Sequence, residues 1–244
     1  MIRINSIETF GTHEGPGIRL VVFTQGCLLR CAYCHNPETQ ALTGGTLMKP
    51  AEILRLLKQQ KTYFKGKMGG GLTVSGGEPT LQAKELIPLF RACRKIGIHT
   101  ALDTNGAIDT PVVKTLYDLT DLVLLDIKHI DNEKHLRLTK ASNQKPLEWP
   151  AYREASGKPF WIRYVLVPGW TNDTEDLKRF AEHFRDYKHL ERVEILPYHT
   201  MAAEKYRQLG QPNPLEGVAP PTQEDIHHAA DIFRKQLGDR VFIR

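Results

Sequence analysis

The sequence predicts an α/β fold in which six parallel strands, each followed by a helical segment, form a partial barrel. Apolar, β-rich runs alternate with segments of helical period along the chain. Two of these runs, LVLLDI and FWIRYVLV, are apolar on both faces, as strands covered by helices on both sides must be. The chain has 244 residues, and since an eight-unit barrel usually takes about 250 residues, six units fit better as an open barrel.

The individual elements follow from these periodicities and from helix-start residues. The predicted strands are Ile18–Gln25, Leu72–Ser75, His99–Asp103, Leu122–Ile127, Phe160–Val167, Arg192–Leu196 and a short Val241–Ile243. The helical patterns cover residues 50–64, 82–96, 110–119, 173–188 and 222–237, with a less regular stretch at 131–157. Pro50 and Pro111 fall in first turns, and Thr222 is placed to cap the last helix. Because no repeat or composition break is evident, we expect a single domain spanning residues 1–244.

Composition narrows the classes of function. The net charge of +5 is only mildly basic, and no run of Lys and Arg exceeds two residues, so nucleic-acid binding is not expected. The first residues lack the apolar region of a signal peptide, and no apolar run approaches the roughly 20 residues needed to span a bilayer. These features predict a soluble, cytoplasmic protein with no membrane partner.

Polar residues follow the carboxyl ends of the predicted strands, and such ends open on one face of a parallel sheet, where folds of this kind place their sites. They are the cysteines after the first strand, Ser75–Glu78, Asp103–Asn105, Asp126 with Lys128, Pro168 with Gly169, and Pro197–His199. We therefore predict one functional rim.

Three of the four cysteines lie within eight residues, as Cys27-Leu-Leu-Arg-Cys31-Ala-Tyr-Cys34, which indicates metal binding. Three thiolates on a four-iron, four-sulfur cluster leave one iron open for a substrate. Two alternatives remain open: covalent haem attachment at Cys31-Ala-Tyr-Cys34-His35, which leaves Cys27 unused, and a zinc site that includes His35, with unusually crowded ligands. Cys93 lies in a helical pattern and is predicted to be a small buried hydrophobe.

The pattern C-x-x-x-C-x-aromatic-C resembles the signature of the radical S-adenosylmethionine (SAM) superfamily. Further motifs resemble the activases of glycyl radical enzymes, nearly end to end: Glu14–Arg19, Gln25–Cys27, Tyr33–Pro37, Ser75–Pro79, Asp103–Gly106, Leu125–Lys128 and Leu196–His199. Glu14 departs from the family pattern, which usually has Asp there. Residues 36–71 contain no cysteine, so the ferredoxin-like insert of some relatives is absent.

The resemblance implies a radical SAM fold and two cofactors. The four-iron, four-sulfur cluster would bind Cys27, Cys31 and Cys34, and SAM would lie nearby. The implied SAM contacts are Tyr33, His35, Gly76, Gly77, Glu78, Asp103, Asp126, Ile127, Lys128 and His199. Asp103 and Asp126 could also hold a monovalent cation.

For several of these residues the sequence leaves a structural alternative open. Gly76 and Gly77 either let backbone groups come close to the methionyl ammonium of SAM or form a plain strand-to-helix turn. Asp126 and Lys128 either face the ligand or form a salt bridge at the rim. Arg163 is equally compatible with the site and with a buried ion pair.

The resemblance also implies the partner, a glycyl radical enzyme whose glycine loses a hydrogen atom. The chain length and the closing segment Gly217–Pro221 favour pyruvate formate-lyase. We expect a reduced flavodoxin or a similar acidic protein as electron donor, a monomeric state, and a role for the long stretch Met201–Pro221 beside the partner. The alternative is a radical SAM enzyme that acts on another glycyl radical enzyme or on a small-molecule or peptide substrate.

Overall fold

The computed structural model describes residues 1–64 and 69–244. By contacts between Cα atoms it divides into two compact units. The first comprises residues 1–28 and 39–124, and the second comprises residues 29–38 and 125–244. The expectation of one domain over residues 1–244 stays a prediction.

The first unit contains a mixed sheet of parallel and antiparallel strands. Its strands are β1 (Ile2–Gly11), β2 (Ile18–Thr24), β3 (Thr46–Met48), β4 (Gly70–Gly76) and β5 (His99–Thr104), and β6 (Leu122–Asp126) begins in it. The spatial order is β3-β1-β2-β4-β5-β6. β2, β4 and β5 pair in parallel, while β1 pairs antiparallel with both β2 and β3. The helices are α1 (Pro50–Gln60), α2 (Ala83–Lys95) and α3 (Pro111–Leu119), and they bury apolar side chains such as Leu57, Leu89 and Leu116.

Strands β1 and β3 were not predicted. Register shifts interrupt the pairing of β1 with β2 between Ile4 and Ser6 and between Glu8 and Gly11. Such bulges break the two-residue alternation by which a strand is recognised in sequence. The predicted helix at 50–64 ends at Gln60 and continues as a 3-10 turn to Phe64.

The second unit has strands and helices of its own. It contains the end of β6, then α4 (Asn132–Thr139), α5 (Gln144–Ala155), β7 (Phe160–Leu166), α6 (Thr174–Phe184), β8 (Leu190–Pro197), α7 (Ala203–Gln208), α8 (Gln223–Leu237) and β9 (Val241–Ile243). β7, β8 and β9 lie in that order and pair in parallel. The prediction of parallel strands with following helices is therefore confirmed in β2, β4, β5, β7 and β8, and the predicted strand β6 lies beside β5.

An aromatic cluster forms the core between the strands and helices of the second unit. Phe180 of α6 stacks on Phe233 of α8 with ring centroids 4.9 Å apart, and Tyr164 of β7 meets Phe180 edge-on at 4.7 Å. Fully burying an aromatic side chain of this kind contributes about 1.5–3 kcal/mol. This cluster packs α6 and α8 against one face of β7.

Side chains that cap the N-terminus mark the start of several helices. Thr110 and Thr222 each accept a hydrogen bond from the backbone three residues on, and Thr222 forms a capping box with Asp225. Asp131 and Asp173 cap α4 and α6 in the same way. The irregular stretch at 131–157 is the pair α4 and α5, and α5 contains Pro150, which weakens the helical signal in sequence.

Candidate active site

Cys27 lies just beyond β2 in the first unit, in a buried position. Its backbone N–H donates to the Gln40 carbonyl at 3.3 Å, and the preceding N–H of Gly26 donates to Thr39 at 2.8 Å. The Asn105 side-chain amide, after β5, donates to Cys27 Sγ at 3.7 Å. An N–H directed at sulfur favours the thiolate, which is the form of cysteine that binds metal.

The rest of the cysteine loop, residues 29–38, belongs to the second unit, where the last turn of α4 supports it. Arg30 and Ala32 donate backbone hydrogen bonds to Thr139 and Leu138, both at 2.8 Å. The loop closes on itself where the Cys34 N–H donates to the Cys31 carbonyl at 3.0 Å. Ala32 is buried in an apolar cluster with Leu138, Val167, Tyr198 and Leu215. Cys31 and Cys34 are half-buried.

Gly76, the last residue of β4, and Gly77, which follows it, lie against backbone of the first unit. A Cβ on Gly76 would lie 2.1 Å from the Thr24 nitrogen, and a Cβ on Gly77 would lie 2.3 Å from the Gly26 carbonyl oxygen. The Gly77 N–H donates to the Thr24 carbonyl at 2.9 Å. Close approach to β2 and to the segment before Cys27 therefore requires glycine at both positions, independently of any ligand.

Glu78 is a buried carboxylate held by four protein donors. Oε1 accepts from the Thr80 N–H at 2.9 Å, from the Thr80 hydroxyl at 2.5 Å and from the Thr104 hydroxyl at 2.7 Å. Oε2 accepts from the Asn105 N–H at 2.8 Å. Burial raises the pKa of Glu78, and these hydrogen bonds oppose the rise. Because the Glu78 N–H also donates to Gly26 at 2.8 Å, the residue joins the ends of β4 and β5 to the segment that carries Cys27.

Asp103, at the end of β5, accepts a hydrogen bond from the Ser75 hydroxyl at 2.7 Å. Within the first unit, the predicted residues Cys27, Gly77, Glu78 and Asp103 thus share one network of neighbouring strand ends. The second predicted cation ligand, Asp126, belongs to the other unit, and the cation itself stays a prediction.

In the second unit, Asp126 ends β6, Lys128 lies two residues further on, and the two side chains form a mostly buried ion pair. Lys128 Nζ lies 2.6 Å from Asp126 Oδ2, with side chains 11% and 23% exposed. Lys128 Nζ also lies 5.5 Å from the centroid of the Tyr33 ring. Burial opposes the charge of Lys128, but Asp126 and its other neighbours outweigh it, so the pKa of Lys128 is raised well above its usual value. Between the pair, Ile127 is buried and donates its N–H to the Arg163 carbonyl at 3.2 Å.

Tyr33, His35 and His199 bring aromatic rings to the same unit. The rings of His35 and His199 meet edge-on with centroids 4.6 Å apart. Burial, with help from His199 and Lys205, lowers the pKa of His35, so its ring is neutral at neutral pH. Burial raises the pKa of Tyr33, which keeps its phenol protonated.

Lys205 of α7 contacts the cysteine loop, and the sequence did not reveal this contact. Its Nζ donates to Asn36 Oδ1 and to Glu38 Oε1, both at 2.7 Å. These bonds join the stretch Met201–Pro221 to the end of the cysteine loop, across 169 residues of sequence in the first case. No local pattern in sequence marks a lysine for such a partner.

Arg163 lies in a buried ionic network on β7 and β8. Its Nε is 3.5 Å from Glu194 Oε2, and the Glu194 side chain is fully buried. Arg192 and Arg244 also contact Glu194, at 3.4 and 2.8 Å. The sequence left open whether Arg163 serves the site or forms a buried ion pair. The structure shows the ion pair, with Glu194.

The donor set of the cysteine loop suits an iron–sulfur cluster. Cys27, Cys31, Cys34 and Cys93 are all free thiols, and Cys93 is fully buried in α2, as predicted. Burial raises the pKa of Cys93 to about 12, which makes it a poor thiolate donor. In the described ranges, no three Cys, His, Asp or Glu side chains converge on a single metal-ion position. The choice of Cys27, Cys31 and Cys34 as cluster ligands therefore rests on their spacing and on thiol chemistry, and it stays a prediction.

Comparison with known proteins identifies the family. The radical SAM superfamily model matches residues 21–181. The chain is 44% identical to pyruvate formate-lyase 1-activating enzyme of Escherichia coli K12, over 98% of this chain and 97% of the relative. It belongs to the pyruvate formate-lyase activating enzymes of the radical SAM superfamily. The family's enzyme from Streptococcus mutans is 46% identical, over 96% of this chain and 91% of its own. The superfamily uses a four-iron, four-sulfur cluster and SAM, as the resemblance implied.

Solved structures share the fold. A domain of pyruvate-formate lyase-activating enzyme from Bacteroides vulgatus superimposes with a TM-score of 0.60 at 26% identity, covering 72% of this chain and 99% of that domain. SuiB of Streptococcus suis bound to SAM gives a TM-score of 0.71 at 16% identity, and 95% of this chain covers 50% of SuiB. No helix in residues 1–64 and 69–244 is long and apolar enough to cross a membrane.

Proposed function

We propose that this chain activates pyruvate formate-lyase by removing a hydrogen atom from one glycine of that enzyme, leaving a glycyl radical. The observation that carries the proposal is 44% identity over 98% of the chain to the Escherichia coli activating enzyme. The family model spans residues of both compact units, which supports their working as one radical SAM domain.

We assign the cluster to Cys27, Cys31 and Cys34, three free thiols in one loop. When bound, the cluster supplies the electron for cleavage of SAM into methionine and a 5′-deoxyadenosyl radical. Asn105 stabilises the Cys27 thiolate through its amide, and α4 holds the loop through Arg30 and Ala32.

The ion pair at the end of β6 provides opposite charges for the methionyl end of SAM. Lys128 remains protonated because its pKa is raised, so it presents a cation to the ligand's carboxylate. Asp126 holds Lys128 in place at 2.6 Å. Because the pair is mostly buried, water does not compete strongly for its charged groups. Both groups therefore stay in position when the ligand binds.

The aromatic residues provide a surface for the adenine. The rings of His35 and His199 meet edge-on at 4.6 Å, and the uncharged imidazole of His35 offers both a flat face and a hydrogen-bonding edge to a purine. Tyr33, kept neutral by burial, covers Lys128 from the same loop. This arrangement excludes water from the charged pair.

A glycine is a suitable hydrogen donor for physical reasons. It has no Cβ to hinder approach to its α-carbon, and the flanking amide groups stabilise the radical that remains. The radical then persists on the partner. The free cysteines suit a reducing compartment, which supports a cytoplasmic location. The monomeric state, the acidic electron donor and the cation at Asp103 and Asp126 remain parts of the proposal.

Isotope transfer tests the proposed reaction. Pyruvate formate-lyase carrying α-deuterated glycine is mixed anaerobically with the reconstituted chain, SAM and a one-electron reductant. We expect deuterium in 5′-deoxyadenosine, an organic radical signal on the lyase, and lyase activity, all appearing together. Cleavage of SAM without deuterium transfer would refute pyruvate formate-lyase as the partner. A second glycyl radical enzyme with labelled glycine serves as the specificity control.

The ligand assignment has its own test, with Cys93 as the matched control. Cys27→Ala, Cys31→Ala and Cys34→Ala should each lose the brown chromophore and most of the roughly four irons per chain that a cubane requires. Cys93→Ala should keep both, since its thiol is buried in α2. Iron loss in the Cys93 variant with retention in any of the other three would overturn the assignment.

A further inference from the structure

A basic surface patch lies beside the cysteine loop in the second unit. It consists of Arg30, Leu136, Arg137 and Lys140, all of them exposed. Arg30 belongs to the loop itself, between Cys27 and Cys31, and its N–H donates to the Thr139 carbonyl at 2.8 Å. The other three residues belong to the end of α4, so backbone hydrogen bonds join the patch directly to the cysteine loop.

The cations of the patch are held in outward positions. The Arg137 guanidinium stacks over the Trp170 ring at 4.5 Å, and Lys140 Nζ is 3.4 Å from the Arg137 carbonyl oxygen. Neither Arg137 nor Lys140 forms an ion pair with a carboxylate in the part of the chain that the structure describes. The acidic residue of α4, Glu133, lies in its first turn, at the opposite end from the patch. The charge of Arg137 and Lys140 is therefore available to a partner.

An apolar residue lies among these charges. The Leu136 side chain is 42% exposed, although the adjacent Leu138 is buried against the loop. A small apolar centre rimmed by like charges is typical of transient protein contacts, which bury less surface than permanent ones.

We propose that this patch is the docking surface for a small acidic protein that delivers one electron to the cysteine loop. The inference rests on the proposed function, because reductive cleavage of SAM consumes one external electron. The donor is oxidised by one electron, and that electron enters the sulfur–carbon bond of SAM as the bond breaks to give methionine and a 5′-deoxyadenosyl radical. A positive surface attracts a negatively charged donor and raises its rate of encounter by about 10- to 1000-fold at low salt.

The test reverses the charge of the two patch cations that lie outside the cysteine loop, Arg137 and Lys140. The double variant Arg137→Glu/Lys140→Glu is compared with Arg234→Glu/Lys235→Glu, which makes the same change in the last turn of α8. Both pairs lie at helix C-terminal ends, so the loss of favourable helix-dipole interactions is matched. The first measurement is the Kd of an oxidised, acidic flavodoxin for each reconstituted protein across a salt series. We expect the Kd of the patch variant to rise about tenfold or more at low salt, and the Kd of the α8 variant to stay within twofold of that of the unmodified protein.

The second measurement compares electron sources. With reduced flavodoxin, the patch variant should cleave SAM about tenfold or more slowly at subsaturating donor. With dithionite, a small inorganic reductant, its rate should match that of the unmodified protein. Equal slowing with both reductants, an unchanged Kd, or an equal effect in the α8 variant would each overturn the docking surface. Failure of the unmodified protein to cleave SAM with dithionite would instead overturn the proposed function and, with it, this inference.

Discussion

Removing the ammonium of Lys128 tests whether its ion pair with Asp126 serves SAM or only the fold. An exposed ion pair contributes about 0–1 kcal/mol, whereas removing one partner of a fully buried pair costs about 3–5 kcal/mol. With a separation of 2.6 Å and exposures of 11% and 23%, this pair falls between the two cases. We therefore expect Lys128→Met to lower the free energy of unfolding by about 2 kcal/mol.

If Lys128 also holds the SAM carboxylate, its loss should weaken SAM binding. A cost of about 2 kcal/mol corresponds to roughly a thirtyfold increase in Kd. The assay is anaerobic calorimetric titration of SAM into the reconstituted protein, with iron content measured in parallel. Lys128→Met and Asp126→Asn should both keep their iron.

Lys134→Met is the matched control. Lys134 pairs with Asp176, whose side chain is 5% exposed, so this variant also leaves a buried aspartate without its lysine. It should lower the free energy of unfolding but leave the Kd of SAM unchanged. If both Lys128→Met and Asp126→Asn bind SAM within twofold of the unmodified protein, the pair is structural and the reasoning about SAM is wrong.

Three further predictions concern the cysteine loop and its supports. Lys205→Met should raise the pKa of His35, because Lys205 lowers it together with burial and His199. An NMR titration of the His35 ring checks this, and an unchanged pKa would mean that α7 does not hold the loop in solution. Burial lowers the pKa of His135, so acid protonates the unfolded chain first, and the free energy of unfolding should fall as the pH drops below about 6.5. Urea unfolding at pH 7.5 and 5.5 should show a smaller fall for His135→Gln, and an identical fall would assign the acid sensitivity to other groups. Gly77→Ala places a Cβ 2.3 Å from the Gly26 carbonyl oxygen, which should cost about 1–3 kcal/mol and reduce iron content. Full iron content and stability in that variant would contradict the packing described for Gly77.

The parallel strands were predictable because burial on both faces leaves a continuous apolar run. The run at 122–127 begins with four consecutive buried residues, Leu122 to Leu125, and can be recognised in sequence without knowledge of the neighbouring strands. β1 lacks this signal, since most of its residues are partly or fully exposed and its bulges shift the alternation. Its strand character comes from pairing with β2, which is a tertiary interaction.

Local motifs indicated candidate site residues but not what each one touches. Ser75–Pro79 marked the turn after β4, yet the turn alone does not show that Glu78 is held by Thr80, Thr104 and Asn105. Thr104 and Asn105 follow another strand, so their approach depends on the sheet. Lys205 is a stronger case, because its partners lie nearly 170 residues away and no periodic pattern surrounds it.

The hydrogen bonds between the cysteine loop and α4 also set an order of events during synthesis. The backbone hydrogen bonds of Ala32 and Arg30 cannot form until Leu138 and Thr139 have been synthesised, more than 100 residues later in the chain. At about 5–20 residues per second, a ribosome takes roughly 5–20 s to make that stretch. During this interval Cys31 and Cys34 are reduced thiols without their structural support, and non-local contacts of this kind also form slowly once they become possible. Oxygen encountered by the nascent chain therefore threatens the thiols of Cys31 and Cys34 before α4 supports them.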